Sequence, residues 1–216
     1  SNIEDETESG INLQVTSLNS LGEQLFDVNR LLEKNFTVSE QPPALLDQRD
    51  SILRDMAKIA KINVKQNTSG SVEIRLDSDV GTLVVDAQRV TVFSATFQPG
   101  QTVILADVYG TPNPTTSVVG GSLGGILNFR SQILAPTIAG LDTLATTVAT
   151  EINTLQTTGV DANGVRGTNL FDPGVNTTGA AGFSMLQTDP YQVATAGLLR
   201  ITANAGNSGT AKLDYS

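Results

Sequence analysis

Three carboxylates stand close together along the chain, at Asp47, Asp50 and Asp55. Hydrolysis by carboxylates needs such a pair, one group to give a proton and one to take it. Asp47 and Asp50 are three residues apart, so a helix would bring them to one side. Arg49 and Arg54 lie among them, and no His or aromatic platform accompanies them. That mixture favours a structural ion-pair network. A second candidate, Asp161-Ala162-Asn163-Gly164-Val165-Arg166-Gly167, resembles a calcium loop. Such loops need glycine at position six and oxygen ligands at alternate positions. Here Gly164 falls at position four and Val165 takes a ligand position, so a turn in which Asp and Asn bond their own backbone is expected. A third candidate, Gly120-Gly121-Ser122-Leu123-Gly124-Gly125, leads into a helix and could cradle an anion. It fits neither the dinucleotide nor the phosphate-loop spacing, and no Lys follows. Close backbone packing at a helix start is expected instead. No catalytic, cofactor-binding or metal-binding residue is therefore assigned, and no cofactor.

The missing residue types narrow function further. The 216 residues include no His, no Cys and no Trp. Zinc sites of Cys or His, Cys nucleophiles and His general bases are excluded. Without Cys there is no disulfide from which to read a compartment. The net charge of −9 repels a phosphate backbone, so no nucleic-acid partner is expected, and the charge serves solubility. Hydrophobic residues make up 39% of the chain, which fits a folded protein of one or two domains. No apolar run approaches the ~18–20 residues of a membrane helix, so no membrane insertion is expected. The acidic start, with Glu4, Asp5, Glu6 and Glu8, is unlike a signal peptide.

The elements that would carry these residues follow from periodicity. Leu18, Leu21, Leu25, Val28 and Leu32 form one stripe of a helix over Glu4 to Asn35. Its acidic start complements the helix dipole, and Gly22 weakens it slightly. Gln41-Pro42-Pro43 breaks the chain. A second helix runs from Pro43 to about Lys61, with Leu46, Leu53, Met56 and Ala60 inward and Leu45, Ile52 and Ile59 beside them. The short connection predicts a helical hairpin. The period then becomes two: Val72, Ile74 and Leu76 alternate with Glu73, Arg75 and Asp77. Further strands are expected at Leu83–Val85, Val90–Phe97 and Thr102–Tyr109, the last two joined by a turn at Gln98-Pro99-Gly100-Gln101 with glycine in the left-handed position.

Gly110 to Gly121 reads as a loop, and a helix begins near Ser122 as N-cap. Pro136 should kink or restart it. Leu134, Ile138, Leu141, Ala145, Val148, Ile152 and Leu155 then alternate spacings of four and three, the pattern of a coiled-coil seam. A helix from Pro136 to Thr158 would be ~35 Å long. The first helix is expected to pack on this seam. Gly159 is a natural stop. Strand-like pieces return at Phe183–Leu186, Leu198–Ala203 and Ala211–Tyr215. Either the last one finishes a sheet or the sequence stops within a β domain; the second is favoured. The predicted class is α+β: an elongated antiparallel helical bundle, a small antiparallel β insertion and the start of a second β-rich domain. The expected parts are 1–61 (helical hairpin), 62–119 (β unit), 120–160 (long helix completing the bundle) and 161–216 (turn region and β-rich outer domain).

Three stretches carry a family likeness. The first is the Asn-bearing helix from Ile11-Asn12 through Leu21 to Asn29. The second is Ala44-Leu45-Leu46-Asp47-Gln48-Arg49-Asp50, with the helix after it and Gly70-Ser71-Val72. The third is Gly120-Gly121-Ser122-Leu123-Gly124-Gly125-Ile126-Leu127-Asn128-Phe129-Arg130, then Leu141 to Ala145, Asn153, and Gly159 on to Leu170-Phe171. In this order and spacing they resemble the flagellar hook-associated protein 1 (FlgK) family over residues 10 to 172. The resemblance implies a middle portion without the family's terminal helical segments. It implies a non-enzymatic structural subunit of the hook–filament junction, exported through the flagellar type III apparatus to the extracellular flagellum. The implied partners are the hook protein, the neighbouring junction protein, further copies of itself and an export chaperone. The residues alone also fit a surface adhesin or phage-tail-like binding module.

Overall fold

The computed structural model describes residues 2–34, 37–161, 164–174, 179–194 and 196–197. The strand readings over Leu198–Ala203 and Ala211–Tyr215 lie outside them. The chain divides into two units, Ser1–Pro136 and Thr137–Ser216. Helices and small antiparallel sheets together give the expected α+β class.

In the first unit, α1 (Asn2–Leu32) and α2 (Pro43–Ile59) form the expected hairpin. On α1, Leu18, Leu25, Val28 and Leu32 are buried, and the stripe continues back through Val15 to Ile11. Each such side chain contributes about 1.5–3 kcal/mol by leaving water. Gly22 is buried on the same stripe, where an added Cβ would lie 3.1 Å from Val90 Cγ2. A poor helix former is retained there because another segment approaches closely. On α2, Ile52, Met56 and Ile59 face the core, and Leu45, Leu46 and Leu53 pack partly against it.

Two three-stranded antiparallel sheets complete that core. The first has the order β1 (Ile62–Gln66), β2 (Val72–Leu76), β3 (Leu83–Val85). Val72, Ile74 and Leu76 are buried while Glu73 and Arg75 are half-buried, as their alternation predicts. The second has the order β4 (Val92–Gln98), β5 (Gln101–Asp107), β6 (Pro112–Thr115). Gly100 at the β4–β5 turn has φ 73°, the left-handed conformation expected of it. The strand β6 corrects the loop expected over Gly110 to Gly121. Its prolines disguise it, yet an edge strand tolerates them. Alternate residues turn their N–H groups to one side, so both missing donors fall on the open edge, which resists further strand pairing.

The next helix, α3 (Gly121–Phe129), has Gly120 rather than Ser122 at its N-cap. Ser122 Oγ instead donates to Gln14 Oε1 on α1, at 2.7 Å. Pro136 does not restart the helix. A π-helical turn, Arg130–Leu134, precedes it, and α4 (Ala135–Thr158) continues through. By length and composition the helical run Gly121–Thr158 would suffice to cross a membrane, which corrects the reading from uninterrupted apolar runs. Its Gly, Ala and Thr break up the run of large apolar residues without making the average polar.

In the second unit, α4 is followed by β7 (Gly159–Val160), β8 (Phe171–Asp172), β9 (Ser184–Met185) and β10 (Ala196–Gly197). β7 pairs with β10 and β8 with β9. Phe171 and Phe183 stack with ring centroids 5.0 Å apart.

Candidate functional site

Two of the three carboxylates, Asp50 and Asp55, are each engaged by a basic neighbour on the same helix. Asp50 accepts from Arg49 Nη2 at 2.7 Å, and Asp55 from Lys58 Nζ at 2.7 Å. The hydrogen bond from Lys58, then its charge, holds the Asp55 carboxyl below its ordinary value. Lys58 was missed as a partner, although three residues of helix separate the two. Arg54 donates to the Asp50 backbone oxygen at 3.2 Å rather than to a carboxylate. In the Asp161 loop, Oδ1 of Asp161 accepts from Val165 N at 2.8 Å, and its backbone oxygen accepts from Gly164 N at 3.0 Å. That is a backbone turn; Asn163 lies outside the described residues. Among the described residues no cluster of three Asp or Glu is placed to hold a metal ion. The Gly120–Gly125 run is tight packing. A Cβ on Gly121 would meet the Ile59 carbonyl at 2.4 Å, and one on Gly124 would meet Val119 C at 2.7 Å.

The signature around Arg49 does have a place, and it is structural. The β1–β2 turn, Asn67–Ser71, is gripped from three sides. Arg49 Nη1 donates to the Gly70 oxygen at 2.6 Å from α2, and Nε of the same guanidinium donates to Asp50 Oδ1 at 2.8 Å. Gln41 Nε2, buried between helices, donates to the oxygens of Leu32 at 2.6 Å and Ser69 at 2.7 Å. Glu33, at the end of α1, accepts from Ser69 Oγ at 2.8 Å and also from Ser71 Oγ. Gly70 has φ 89°, and Leu46 and Val38 close over it. In the run Leu45 to Asp50, then, the leucines pack against the core and Arg49 and Asp50 form a clasp.

Three helical asparagines act alike. Asn29, fully buried, donates from Nδ2 to the Val72 oxygen at 2.8 Å and accepts from Val72 N at 2.9 Å. Asn19 makes the same pair with Phe93, both bonds at 2.8 Å. On α4, Asn153 accepts from the amides of Leu170 and Phe171 and donates to the Phe171 oxygen. An amide side chain carries the donor and acceptor of a peptide group, so each Asn pairs with the backbone as a neighbouring strand would. The signal was a poor helix former inside a helix.

The α4 seam departs from its expectation. Leu134 is buried, and Ile138, Ala145 and Ile152 are half-buried. Leu141 is 54% exposed, Val148 38% and Leu155 72%. Within the second unit the packing stripe of α4 is a neighbouring one, largely polar. Asp142 Oδ1 accepts from Ala180 N at 2.6 Å. Ala149 is buried. Gln156 donates to the Gln192 oxygen and accepts from Ala194 N. A Cβ on Gly167 would lie 2.1 Å from the Gln156 oxygen, so that glycine lets the following segment close onto the helix. The apolar stripe through Leu141, Leu144, Val148 and Leu155 is left to face outward.

Comparison with known proteins places this arrangement. Residues 1–171 match the model of the flagellar hook-associated protein FlgK helical domain. Flagellar hook-associated protein 1 of Escherichia coli K12 is 30% identical over 168 residues, covering 74% of this chain and 30% of that protein. Its counterpart in Salmonella typhimurium LT2 is 29% identical over 171 residues, covering 76% of this chain and 31% of the relative. The structure of the flagellar hook junction protein FlgK from Burkholderia pseudomallei superposes with TM-score 0.67 at 30% identity, over 78% of this chain and 31% of that one. The chain thus spans about three tenths of the length of these relatives. With the family model matched over most of its residues, the chain belongs to the flagellar hook-associated protein FlgK family.

Proposed function

We propose that this chain is the helical part of a structural subunit that joins hook to filament in a bacterial flagellum and transforms no substrate. The observation that carries this reading is the match of residues 1–171 to the FlgK helical domain. The local chemistry agrees with it. Asp50 and Asp55 are engaged in ion pairs, and the signature around Arg49 braces a turn. The work is mechanical: rigid helices pass load, and neighbouring subunits bury complementary faces. The hook protein, the adjacent junction protein and further copies of the subunit are the partners. An export chaperone accompanies the full-length protein, and the flagellar type III apparatus carries it to the cell exterior. The outward stripe of α4 suits a protein partner better than lipid, because Asp142, Glu151, Asn153 and Gln156 recur along the same helix.

The test is a domain exchange. Residues 1–171 replace the matching segment of the Escherichia coli relative in cells lacking their own copy. Swimming and attached filaments are then scored, with filament protein in the medium as the sign of a missing junction. Restored filaments support the reading. An exported, folded chimera that leaves filaments unattached, while residues 1–171 adhere to cells or surfaces, would replace it with an adhesin.

A further inference from the structure

The π turn Arg130–Leu134 has two candidate causes. Runs with an i→i−5 bond are rare and appear as single turns inside α-helices, often where function or strain requires them. Here Ala135 N–H donates to the Arg130 oxygen, five residues back. Pro136 follows at once. It has no N–H, and its ring presses on the carbonyl four residues earlier, so it is the first suspect. Arg130 is the second.

Arg130 is only 4% exposed. Its Nη2 donates to Glu8 Oε1 on α1 at 2.7 Å, and its Nη1 to Thr102 Oγ1 on β5 at 2.9 Å. Both nitrogens also reach the Gln98 oxygen, at 3.4 Å. The guanidinium lies 5.5 Å from the Phe97 ring centroid. One side chain thus ties the turn to the helix α1 and to the tip of the β4–β5 hairpin. Nε of the same group is buried with no hydrogen-bond partner. A buried donor left unmade is a cost that a freely placed side chain would avoid. Held by Glu8, Thr102, Gln98 and the Phe97 ring, the tip of Arg130 constrains the backbone that carries it. A proline accounts for a bend, whereas it does not account for a guanidinium held at four points.

We propose that Arg130, rather than Pro136, sets the π register: the latch onto Glu8, Gln98 and Thr102 holds the turn open by one residue. This holds whether or not the chain works at a flagellar junction. In the absence of the latch the turn regularises to α, and the Ala135 amide takes the Ser131 oxygen, four residues back, in place of Arg130's. The experiment reads that partner directly, through the NMR scalar coupling across the hydrogen bond from Ala135 nitrogen to a carbonyl carbon. Pro136→Ala is expected to keep the coupling to Arg130. Arg130→Met is expected to move it to Ser131 while the helix signals persist. Should that variant not fold, Glu8→Gln/Thr102→Val decides, since it loosens the latch from outside. There too the coupling from the Ala135 nitrogen is expected to move, at least in part, from Arg130 to Ser131. A coupling that moves to Ser131 in Pro136→Ala overturns the proposal. So does a coupling to Arg130 that survives unchanged in Arg130→Met or in the double variant.

Discussion

The helices α1 and α4 carry the same kind of apolar stripe and use it differently. On α1, the residues from Ile11 through Leu18 and Leu25 to Leu32 are shut away from solvent against α2, α3 and the strands. On α4, Leu141, Leu144, Val148 and Leu155 face outward, and the residues at work within the second unit are Asp142, Asn153 and Gln156. Periodicity therefore identifies a face that is able to pack; it does not say whether the partner lies in the same stretch of chain. Side-chain hydrogen bonds to the following backbone settled which face of α4 that chain would cover.

The largest test of this contrast sets Leu25→Asp against Leu155→Asp. A carboxylate at Leu25 has no partner and no water, and the cost is at least ~4–5 kcal/mol, comparable to a domain's whole stability. The first unit is expected to lose its cooperative thermal transition, followed by circular dichroism. At Leu155 the same change meets solvent and should shift stability by no more than about 0.5 kcal/mol. Equal losses in the two variants would mean that the α4 stripe is buried after all, and the contrast would disappear.

A smaller effect separates the asparagines. Asn29→Ala strands the N–H and C=O of Val72 in a buried place, which costs about 2–4 kcal/mol. Asn153→Ala removes three bonds, but they are only partly buried, so water replaces them and the loss is about 1 kcal/mol. Urea unfolding of each variant gives both numbers. A greater loss at Asn153 than at Asn29 would reverse the ranking of the two helices.

Much of the first unit was legible because its signals are local. The stripe of α1, the alternation at Val72 to Leu76 and the left-handed Gly100 each follow from residues within one or two turns of chain. The strand β6 was not legible, because proline at Pro112 and Pro114 argues against a strand until an open edge is known to be there. Ser122 was taken for an N-cap on type alone, whereas its hydroxyl is engaged by Gln14, 108 residues away. The clasp on Gly70 was visible only as a motif, since the positions that Arg49, Gln41 and Glu33 reach are fixed by the hairpin turn. Long-range geometry of that kind leaves its mark in odd residue choices, such as Asn within a helix, without naming the partner.

The contrast has a polar counterpart in α2, where Arg49 depends on a distant turn and the Asp55–Lys58 pair depends only on its own helix. Lys58→Met should raise the Asp55 pKa back toward its ordinary value of 3.8, read from the carboxyl carbon in an NMR titration. A group whose folded pKa is lowered adds stability above its unfolded pKa and loses it as pH falls through the folded one. Wild type and Lys58→Met should therefore differ slightly at neutral pH and converge in acid once Asp55 is protonated in both. The difference is expected to be the smallest of all, because the pair is exposed and screened. A difference as large as that of Asn29→Ala would show that Asp55 is coupled to something beyond its own turn of helix, and α2 would then resemble α1 on its outer face as well.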